Sequence, residues 1–361
     1  MAEIKAVYSA QDLLAYRNAS AASFGIDNIL ATVQMETAYL NTQVNDMLAD
    51  IAQPMYAQSA VWGGGGLVKM EKMDEYGRPK PGANKPGITA QFPIYSFKQA
   101  LGWTEKYFKL ATPAEVAEKF LELRKGYLAA LVNQMKRALY GVGDGTTSKY
   151  TFVDRLTNGA SLICWPLANG GIATADLPDA PDGTTFLNTH DHMNGDATVT
   201  ALDVQATIDH VTEHGNTKGL KLIYNKADAA AIEALTGFTA LSEAVFNYNG
   251  TQSTIVKLAT QDLSNQLKGY WKGAIECWVK PWAVDGYLVC VATGEPEKAL
   301  GYRQRPQSEL QGWRIVSMFE DHPLIAEYAE AEFGFAAFNR TMAAIDYMDN
   351  DTWANPTITD N

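Results

Sequence analysis

The chain has 361 residues, 47% of them hydrophobic and 19% charged, which is typical of a globular protein that buries a substantial core in about two domains. Its formal net charge of -12 disfavours partners that are held through phosphate contacts, such as nucleic acid or an anionic membrane surface.

Cysteine usage and hydropathy indicate the compartment. Cys164, Cys277 and Cys290 follow neither a disulfide framework nor a CxxC metal pattern, so we expect buried thiols from a reducing environment. The first residues lack a basic region followed by an apolar core, and no segment approaches the run of about 20 apolar residues that crosses a bilayer. These features predict cytoplasmic synthesis and no membrane association.

Residues 1–60 have the pattern of an amphipathic helical arm. One helical face carries mostly apolar side chains at three- and four-residue steps. Its members are Ile26, Leu30, Val33, Thr37, Leu40, Val44, Met47 and Leu48. Such a face must cover another surface. We favour packing on the chain's own core, and docking on a neighbouring subunit stays open as the alternative.

Residues 62–102 combine two strand-like stretches with a region rich in turn residues. Val68 and Met70 alternate with charged residues, and 88–94 alternates apolar with polar residues. Prolines and glycines between them favour turns. The pattern predicts a long two-stranded ribbon. Because an isolated hairpin is only marginally stable in water, the ribbon must rest on its own domain or on another copy of the chain.

Residues 112–141 predict one long, one-sided helix. Thr112 can cap it, Pro113 suits its first position, and Glu115 completes a capping box. Gly141 is a stop signal. The apolar stripe consists of Val116, Phe120, Leu123, Tyr127, Leu131, Met135 and Ala138.

The rest of the chain reads as mixed helix and strand. A strand pair with exposed loops is expected in 161–196, and Thr200 with Asp203 frames the start of a helix. A buried strand at 220–225 and a second helix at 227–235 follow. Further strands are expected on either side of the Asp285-Gly286 turn, which favours a hairpin, and then at 313–319 and 326–335. The last strand is expected to run on through 338–341 toward Ile345. The predicted fold class is α+β.

Four of the five histidines fall in one short region and form the strongest pattern for an enzyme. His190 and His192 make an HxH pair, and His210 and His214 have the HxxxH spacing of a zinc-binding helix. On a helix, however, both would lie about 100° from the apolar stripe, where solvated residues belong. HVTEH also lacks the glutamate that follows the first histidine in zinc proteases. We therefore assign no metal site, and a zinc-dependent enzyme using these four histidines is a remote alternative.

The other motifs predict no catalytic or cofactor-binding residue. Residues 141–145 (GVGDG) follow a helix and lack the GK[ST] of a phosphate loop. No GxSxG elbow occurs, and no cysteine has a sequence context that would lower its pKa. We interpret the scattered carboxylates as solvated charges; they are Glu276, Asp285, Glu295 and Glu297.

The order of these elements resembles the major capsid proteins of tailed bacteriophages of the Hong Kong 97 type. The resemblance covers essentially the whole chain. It rests most on 219–235 (GLKLIYNKADAAAIEAL) together with 278–306 (WVKPWAVDGYLVCVATGEPEKALGYRQRP), and on a closing strand that ends in Asn339, Arg340 and Thr341.

The resemblance implies a Hong Kong 97-like capsid fold built from five parts. These are an N-terminal arm at 1–60, an extended β-hairpin loop at 61–102, a peripheral domain at 103–158 and 300–350 with the spine helix at 112–141, an axial domain at 159–299, and a C-terminal tail at 351–361. In the family the loop lies over the adjacent subunit and the arm lies under neighbours. The arm is short for the cleavable scaffolding domain of some relatives, so we expect a separate scaffolding protein.

The implied function is structural and not enzymatic. Copies would assemble through pentamers and hexamers into the icosahedral virion capsid of a tailed phage, around double-stranded DNA that is enclosed without sequence-specific contact. A portal and a maturation protease are further expected partners, and a decoration protein is left open. The alternative is an encapsulin-like bacterial nanocompartment shell that holds enzyme cargo.

Some relatives crosslink subunits between a loop lysine and a neighbouring asparagine. The candidates here are Lys72, Lys80 and Lys85 with Asn339, Asn350 and Asn355. Because no motif aligns a specific pair, we assign no crosslinking site.

Overall fold

Two β-sheets and one long helix organise the chain. A computed structural model describes residues 8–18, 20–63, 75, 77, 87–142, 150–169, 177–187, 190–241, 266–321 and 324–358. The helices in these ranges are α1 (Ala10–Ala15), α2 (Ala21–Phe24), α3 (Ile26–Leu48), α4 (Glu105–Leu110), α5 (Pro113–Tyr140), α6 (Ala201–Thr212) and α7 (Ala229–Glu233). The strands are β1 (Ala52–Met55), β2 (Ser59–Trp62), β3 (Ile88–Gln91), β4 (Tyr95–Thr104), β5 (Tyr150–Val153), β6 (Ser161–Cys164), β7 (Met193–Gly195), β8 (Leu220–Tyr224), β9 (Phe238–Ala240), β10 (Gln266–Trp271), β11 (Ile275–Val279), β12 (Tyr287–Ala292), β13 (Leu300–Arg303), β14 (Trp313–Asp321), β15 (Leu324–Ala337) and β16 (Ala343–Tyr347).

A five-stranded sheet joins segments from both halves of the chain. Its main path is β1-β13-β15-β14, and β4 also pairs with β15. β15 is the central strand, because it pairs antiparallel with β4, β13 and β14. The strands expected at 313–319 and 326–335 are thus confirmed as β14 and β15.

The predicted long helix is confirmed as α5, and its cap has the expected chemistry. The backbone N–H of Glu115 donates to Thr112 Oγ1 over 3.3 Å, and the N–H of Thr112 donates to Glu115 Oε2 over 2.8 Å. The buried face packs on the five-stranded sheet, where the ring of Tyr127 stacks on Trp313 at 5.8 Å between centroids. Aromatic contacts of this kind add to the area that the helix buries.

The amphipathic helix near the start of the chain is α3, and it packs on this chain's own core. Val33, Leu40 and Val44 are buried on one face. The amide of Asn41 donates to the carbonyl of Trp313 and accepts from its N–H, both over 2.9 Å. β1 then enters the five-stranded sheet. The apolar face of α3 and the pairing of β1 are therefore satisfied within this chain, as the favoured interpretation of the amphipathic helix predicts, and the arm division at 1–60 stays a prediction.

The base of the predicted ribbon is confirmed. β2 and β3 pair antiparallel from Ser59↔Gln91 to Trp62↔Ile88. The strand positions Val68 and Met70 lie outside the described residues. After the ribbon, β4 begins at Tyr95 and joins the five-stranded sheet by pairing with β15, and the loop bounds of 61–102 stay a prediction.

A seven-stranded sheet forms the second layer, in the order β7-β16-β12-β8-β11-β10-β9. α6 lies on it and begins at the predicted capping box, in which the N–H of Thr200 donates to Asp203 Oδ2 over 2.7 Å. The predicted sequence of helix, buried strand and helix is confirmed as α6, β8 and α7.

The hairpin expected around Asp285-Gly286 is wrong. β11 and β12 do not pair, because β8 lies between them, parallel to β11 and antiparallel to β12. The tight hairpin joins β10 to β11 instead. Three residues connect the paired ends Trp271 and Ile275. Lys272 and Gly273 have positive φ angles of 47° and 70°, and the N–H of Ala274 donates to the carbonyl of Trp271 over 3.1 Å, which closes a tight β-turn.

Two further strand expectations also need correction. β6 pairs with β5, which lies upstream of the expected pair in 161–196. The last strand does not run on to Ile345, because β15 ends at Ala337 and β16 pairs with β12 and β7 in the other sheet. Asn339 Oδ1 accepts hydrogen bonds from the N–H and hydroxyl of Thr341, a local turn that interrupts the strand. β16 therefore pairs with strands from 193–292, and the peripheral range of 300–350 stays a prediction.

All three cysteines are buried, as predicted. Among the described helices, none combines the length and apolar character needed to span a lipid bilayer.

Candidate functional site

The end of α6 brings four histidines together. The helix stops at Thr212, Glu213 caps it, and Gly215 follows with a φ of 84°. His214 therefore lies in a turn instead of on the helix. The turn faces the segment that leads into β7, which carries His190 and His192 and is held by the N–H of Met193 on Asp191 Oδ1.

Three imidazole nitrogens converge in this cluster. The Nε2 atoms of His190, His192 and His214 form a triangle with all three sides 3.1 Å long. A neutral imidazole nitrogen carries either one proton or one lone pair, so hydrogen bonds alone cannot satisfy all three sides. A tetrahedral Zn²⁺ ion with bonds of about 2.0–2.1 Å holds its ligands about 3.3 Å apart, which is close to this spacing.

The tautomer of His192 is fixed by its surroundings. The ring is fully buried, and its Nδ1 atom lies 2.9 Å from the carbonyl oxygen of Ala343. Because a carbonyl only accepts, this nitrogen carries the proton, and Nε2 of the neutral ring presents a lone pair to the other histidines. Metal-ligating histidines use this arrangement, in which the second nitrogen donates to a carbonyl or carboxylate.

Glu213 adds a carboxylate to the cluster. Its Oε1 atom lies 3.0 Å from His190 Nε2 and 3.3 Å from His210 Nδ1. The ligand atoms of His190, His192, Glu213 and His214 all lie within 4.8 Å of one another. His210 does not belong to this set. It contacts the carboxylate of Glu213 and so orients it.

The electrostatics favour neutral imidazoles. Burial lowers the pKa of His190, lowers the pKa of His192 well below its ordinary value, and lowers the pKa of His214 to about 3. Neutral imidazole is the form that binds metal ions. Burial also raises the pKa of the neighbouring Asp191 to about 6.

An aromatic wall encloses one side of the cluster. The ring of Phe186 lies 4.6 Å from that of His190 and 4.0 Å from that of His214, measured between centroids. Nδ1 of His214 is buried without a well-formed hydrogen bond. An apolar shell of this kind restricts the access of water to a site.

The sequence shows that these histidines lie in one region of the chain. The position predicted for His214, on a helix, was wrong. The HxxxH spacing assumed that α6 continues through His214, and the structure ends the helix before that residue. Glu213 was not considered as a ligand, although it is adjacent to His214 in the sequence. The fifth histidine, His322, lies outside the described residues.

The other candidate residues have structural contacts. Asn339 Nδ2 donates to Glu297 Oε2 over 2.7 Å, and Trp278 Nε1 donates to Glu276 Oε2 over 2.8 Å. Asn355 Oδ1 accepts from the N–H of Val142 over 3.3 Å. The three loop lysines considered for crosslinking lie outside the described residues.

Comparisons with known proteins give structural similarity only. No protein-family model matches the sequence, and no curated protein matches it. A chain from Mycobacterium phage Patience has a TM-score of 0.63 at 17% identity, over 99% of this chain and 97% of that chain.

Two further solved structures are more distant. The holo-SrpI encapsulin complex from Synechococcus elongatus PCC 7942 has a TM-score of 0.42 at 9% identity, over 87% of this chain and 90% of that chain. Gordonia phage Cozz has a TM-score of 0.40 at 11% identity, over 84% and 85%.

The match to the chain from Mycobacterium phage Patience is almost complete in both proteins, and at this identity it bears on the fold. The two chains agree in overall fold with a TM-score of 0.63. The chain therefore has the Hong Kong 97-like capsid fold.

Proposed function

We propose that this chain is the major capsid protein of a tailed bacteriophage. Copies assemble through pentamers and hexamers into an icosahedral shell around double-stranded DNA. The observation that carries this proposal is the Hong Kong 97-like fold, which extends over 99% of the chain. The protein acts through repeated contacts between subunits, so its role is structural and needs no catalytic residue.

Exposed apolar side chains on the ribbon base and on the adjoining β5-β6 hairpin support contact with neighbouring subunits. The hairpin meets the ribbon where the N–H of Ile163 donates to Gln91 Oε1. Val61 on β2 is 64% exposed, and Val153 on β5 and Ile163 on β6 are exposed as well. Val153 and Ile163 share one face of their hairpin, because Val153 pairs with Ser161. Apolar surface of this kind is suited to burial between copies of a chain.

The outer face of α3 offers a second contact surface. Met35 and Tyr39 are one helical turn apart, and the ring of Tyr39 is 58% exposed. The helix is anchored to this chain's own core on its other face, so it can present these side chains to a neighbour without leaving its place. One face of α3 then packs on the chain's own core, and the opposite face docks on a neighbouring subunit.

The domain division follows as part of the proposal. The five-stranded sheet and α5 form the peripheral domain, and the seven-stranded sheet with α6 and α7 forms the axial domain, which closes pentamers and hexamers. The net charge of -12 fits DNA that is enclosed without sequence-specific contact. Synthesis takes place in the host cytoplasm, and a scaffolding protein, a portal and a maturation protease complete the assembly pathway.

The contents of purified particles test this function. We expect particles from infected cells to protect double-stranded DNA of genome length from added nuclease. Particles that hold one enzyme and no protected DNA would identify a nanocompartment shell, and would contradict the capsid proposal while leaving the fold unaffected.

A further inference from the structure

Shell assembly does not account for the three imidazole nitrogens at the end of α6. In a protein interior, a buried polar atom normally has a hydrogen-bond partner, because an unpaired one lowers the free energy of unfolding. The Nδ1–H group of neutral His192 donates a hydrogen bond to the carbonyl of Ala343, so its Nε2 atom can only accept. His190 Nε2 faces two imidazole nitrogens and the Glu213 carboxylate, and one N–H can serve only one of them well.

A cation between these atoms satisfies all of them at once. Each neutral imidazole then offers its Nε2 lone pair, and Glu213 supplies a negative charge. Three nitrogens and one carboxylate oxygen match the ligand types and the coordination number of protein-bound Zn²⁺. We infer that His190, His192, Glu213 and His214 bind one Zn²⁺ ion per chain.

The site has the features of a structural metal centre. Four protein ligands fill a tetrahedral shell and leave no open position for substrate, which separates this proposal from a zinc-dependent enzyme. His192 is held by Ala343 at the start of β16, so the ion connects the end of α6 and the segment before β7, which is tied in turn to β16 of the seven-stranded sheet. Ligands and second-layer contacts from separate parts of the chain are expected to stabilise this region.

His210 is a positioning residue in this arrangement. Its Nδ1 atom lies 3.3 Å from Glu213 Oε1, and it is not among the four candidate ligands. Loss of a contact of this type weakens metal binding by about 10–100-fold. We therefore expect His210→Gln to bind Zn²⁺ more weakly but still in a one-to-one ratio.

Metal analysis of the full chain, purified without a histidine tag, tests the inference. We expect one Zn²⁺ per chain after dialysis, a lower unfolding temperature after chelation, and recovery of that temperature on adding Zn²⁺ alone. Cobalt reconstitution of the chelated protein should give the intense visible absorption of tetrahedral Co²⁺. A wild-type chain that retains no zinc and gives no such absorption would overturn the inference.

Two ligand substitutions locate the ion. His190→Gln/His214→Gln avoids the fully buried His192 and should abolish stoichiometric binding, whereas His322→Gln should retain it. A double variant that still binds one Zn²⁺ would contradict the assignment. Because metal content is measured on purified protein, its outcome is independent of whether the chain forms phage shells.

Discussion

Asp154 and Arg303 form a buried ion pair beneath the ribbon. Arg303 Nη2 lies 2.8 Å from Asp154 Oδ2, and the two side chains are 4% and 0% exposed. Gln58 also donates to Asp154, over 2.7 Å, and Arg303 Nη1 donates to the carbonyl of Phe92 over 2.8 Å. The pair therefore connects the ribbon base to β13 of the five-stranded sheet and to the turn after β5.

Asp154→Asn should be strongly destabilising. It leaves the charge of Arg303 buried without its counter-charge, a change that typically costs about 3–5 kcal/mol. Urea unfolding at neutral pH measures the loss. The control is Glu122→Gln, which removes an exposed pair with Lys119 and should change the free energy of unfolding by less than about 0.5 kcal/mol. Equal stability of the two variants would contradict this account.

The same pair should make stability depend on pH. Burial raises the pKa of Asp154, but hydrogen bonds from Gln58 and Arg303 outweigh it, so the pKa lies below the ordinary value of 3.8. A lowered pKa in the folded state stabilises the protein above the unfolded pKa, and this contribution is lost as the pH falls through the folded value.

The difference in unfolding free energy between wild type and Asp154→Asn should therefore be constant at pH values well above the unfolded pKa of 3.8. It should shrink as the pH falls below 3.8. Asp228 and Asp346, whose pKa values burial raises to about 6 and about 7, titrate in both proteins and cancel in the difference. A difference that does not change with pH would show that the Asp154 carboxylate is not paired.

At this scale the sequence predicted local chemistry well and distant contacts poorly. The capping boxes at Thr112 and Thr200 depend on residues three positions apart, so spacing alone identifies them. Asp154 and Arg303 are far apart in the sequence and carry no motif. The four histidines were recognised as a group, but no metal site was assigned to them, because the HxxxH pattern suggested a longer helix and the convergence of the rings depends on α6 ending at Thr212.

The cap of α5 gives a prediction at the scale of one element. Thr112→Ala removes the side-chain acceptor for the N–H of Glu115 and should cost about 1 kcal/mol. Chemical denaturation monitored by circular dichroism measures this. Thr42→Ala changes an exposed position within α3 and should not destabilise the protein, because alanine is the better helix former. A Thr112→Ala variant with an unchanged free energy of unfolding would show that packing on β15 alone fixes the start of the helix.

Elements with a strong local pattern were predicted, and their pairing was not. α5, α6, β8, β14 and β15 appear where periodicity and caps placed them. β12 was assigned to a hairpin with β11, because the Asp285-Gly286 turn before it is a strong hairpin signal. In the sheet, β8 lies between β11 and β12. Insertion of a strand from elsewhere in the chain leaves no trace in the local sequence, so strand order is set by the whole sheet.

For the whole molecule, the exposed apolar groups on the ribbon base and on the adjoining β5-β6 hairpin should matter for assembly and not for folding. Val61→Asp/Ile163→Asp places two charges on surfaces that we propose are buried between copies. Since both side chains are exposed in the single chain, the free energy of unfolding should change by less than about 1 kcal/mol. Particle yield, measured by sedimentation, should fall sharply.

Val61→Ile/Ile163→Val is the matched control, because it keeps both positions apolar and should assemble like wild type. Circular dichroism and thermal unfolding establish that each variant is folded before assembly is compared. Normal particles from the aspartate variant would contradict the assignment of the ribbon base and the β5-β6 hairpin to the subunit interface.

Electron microscopy with light scattering, on the purified chain expressed alone and with its neighbouring genes, tests the central claim most directly. The proposed function predicts closed icosahedral particles, or rings of five and six subunits, under at least one of the two conditions. A chain that is strictly monomeric under both conditions would contradict the proposal that this fold serves as a shell protein.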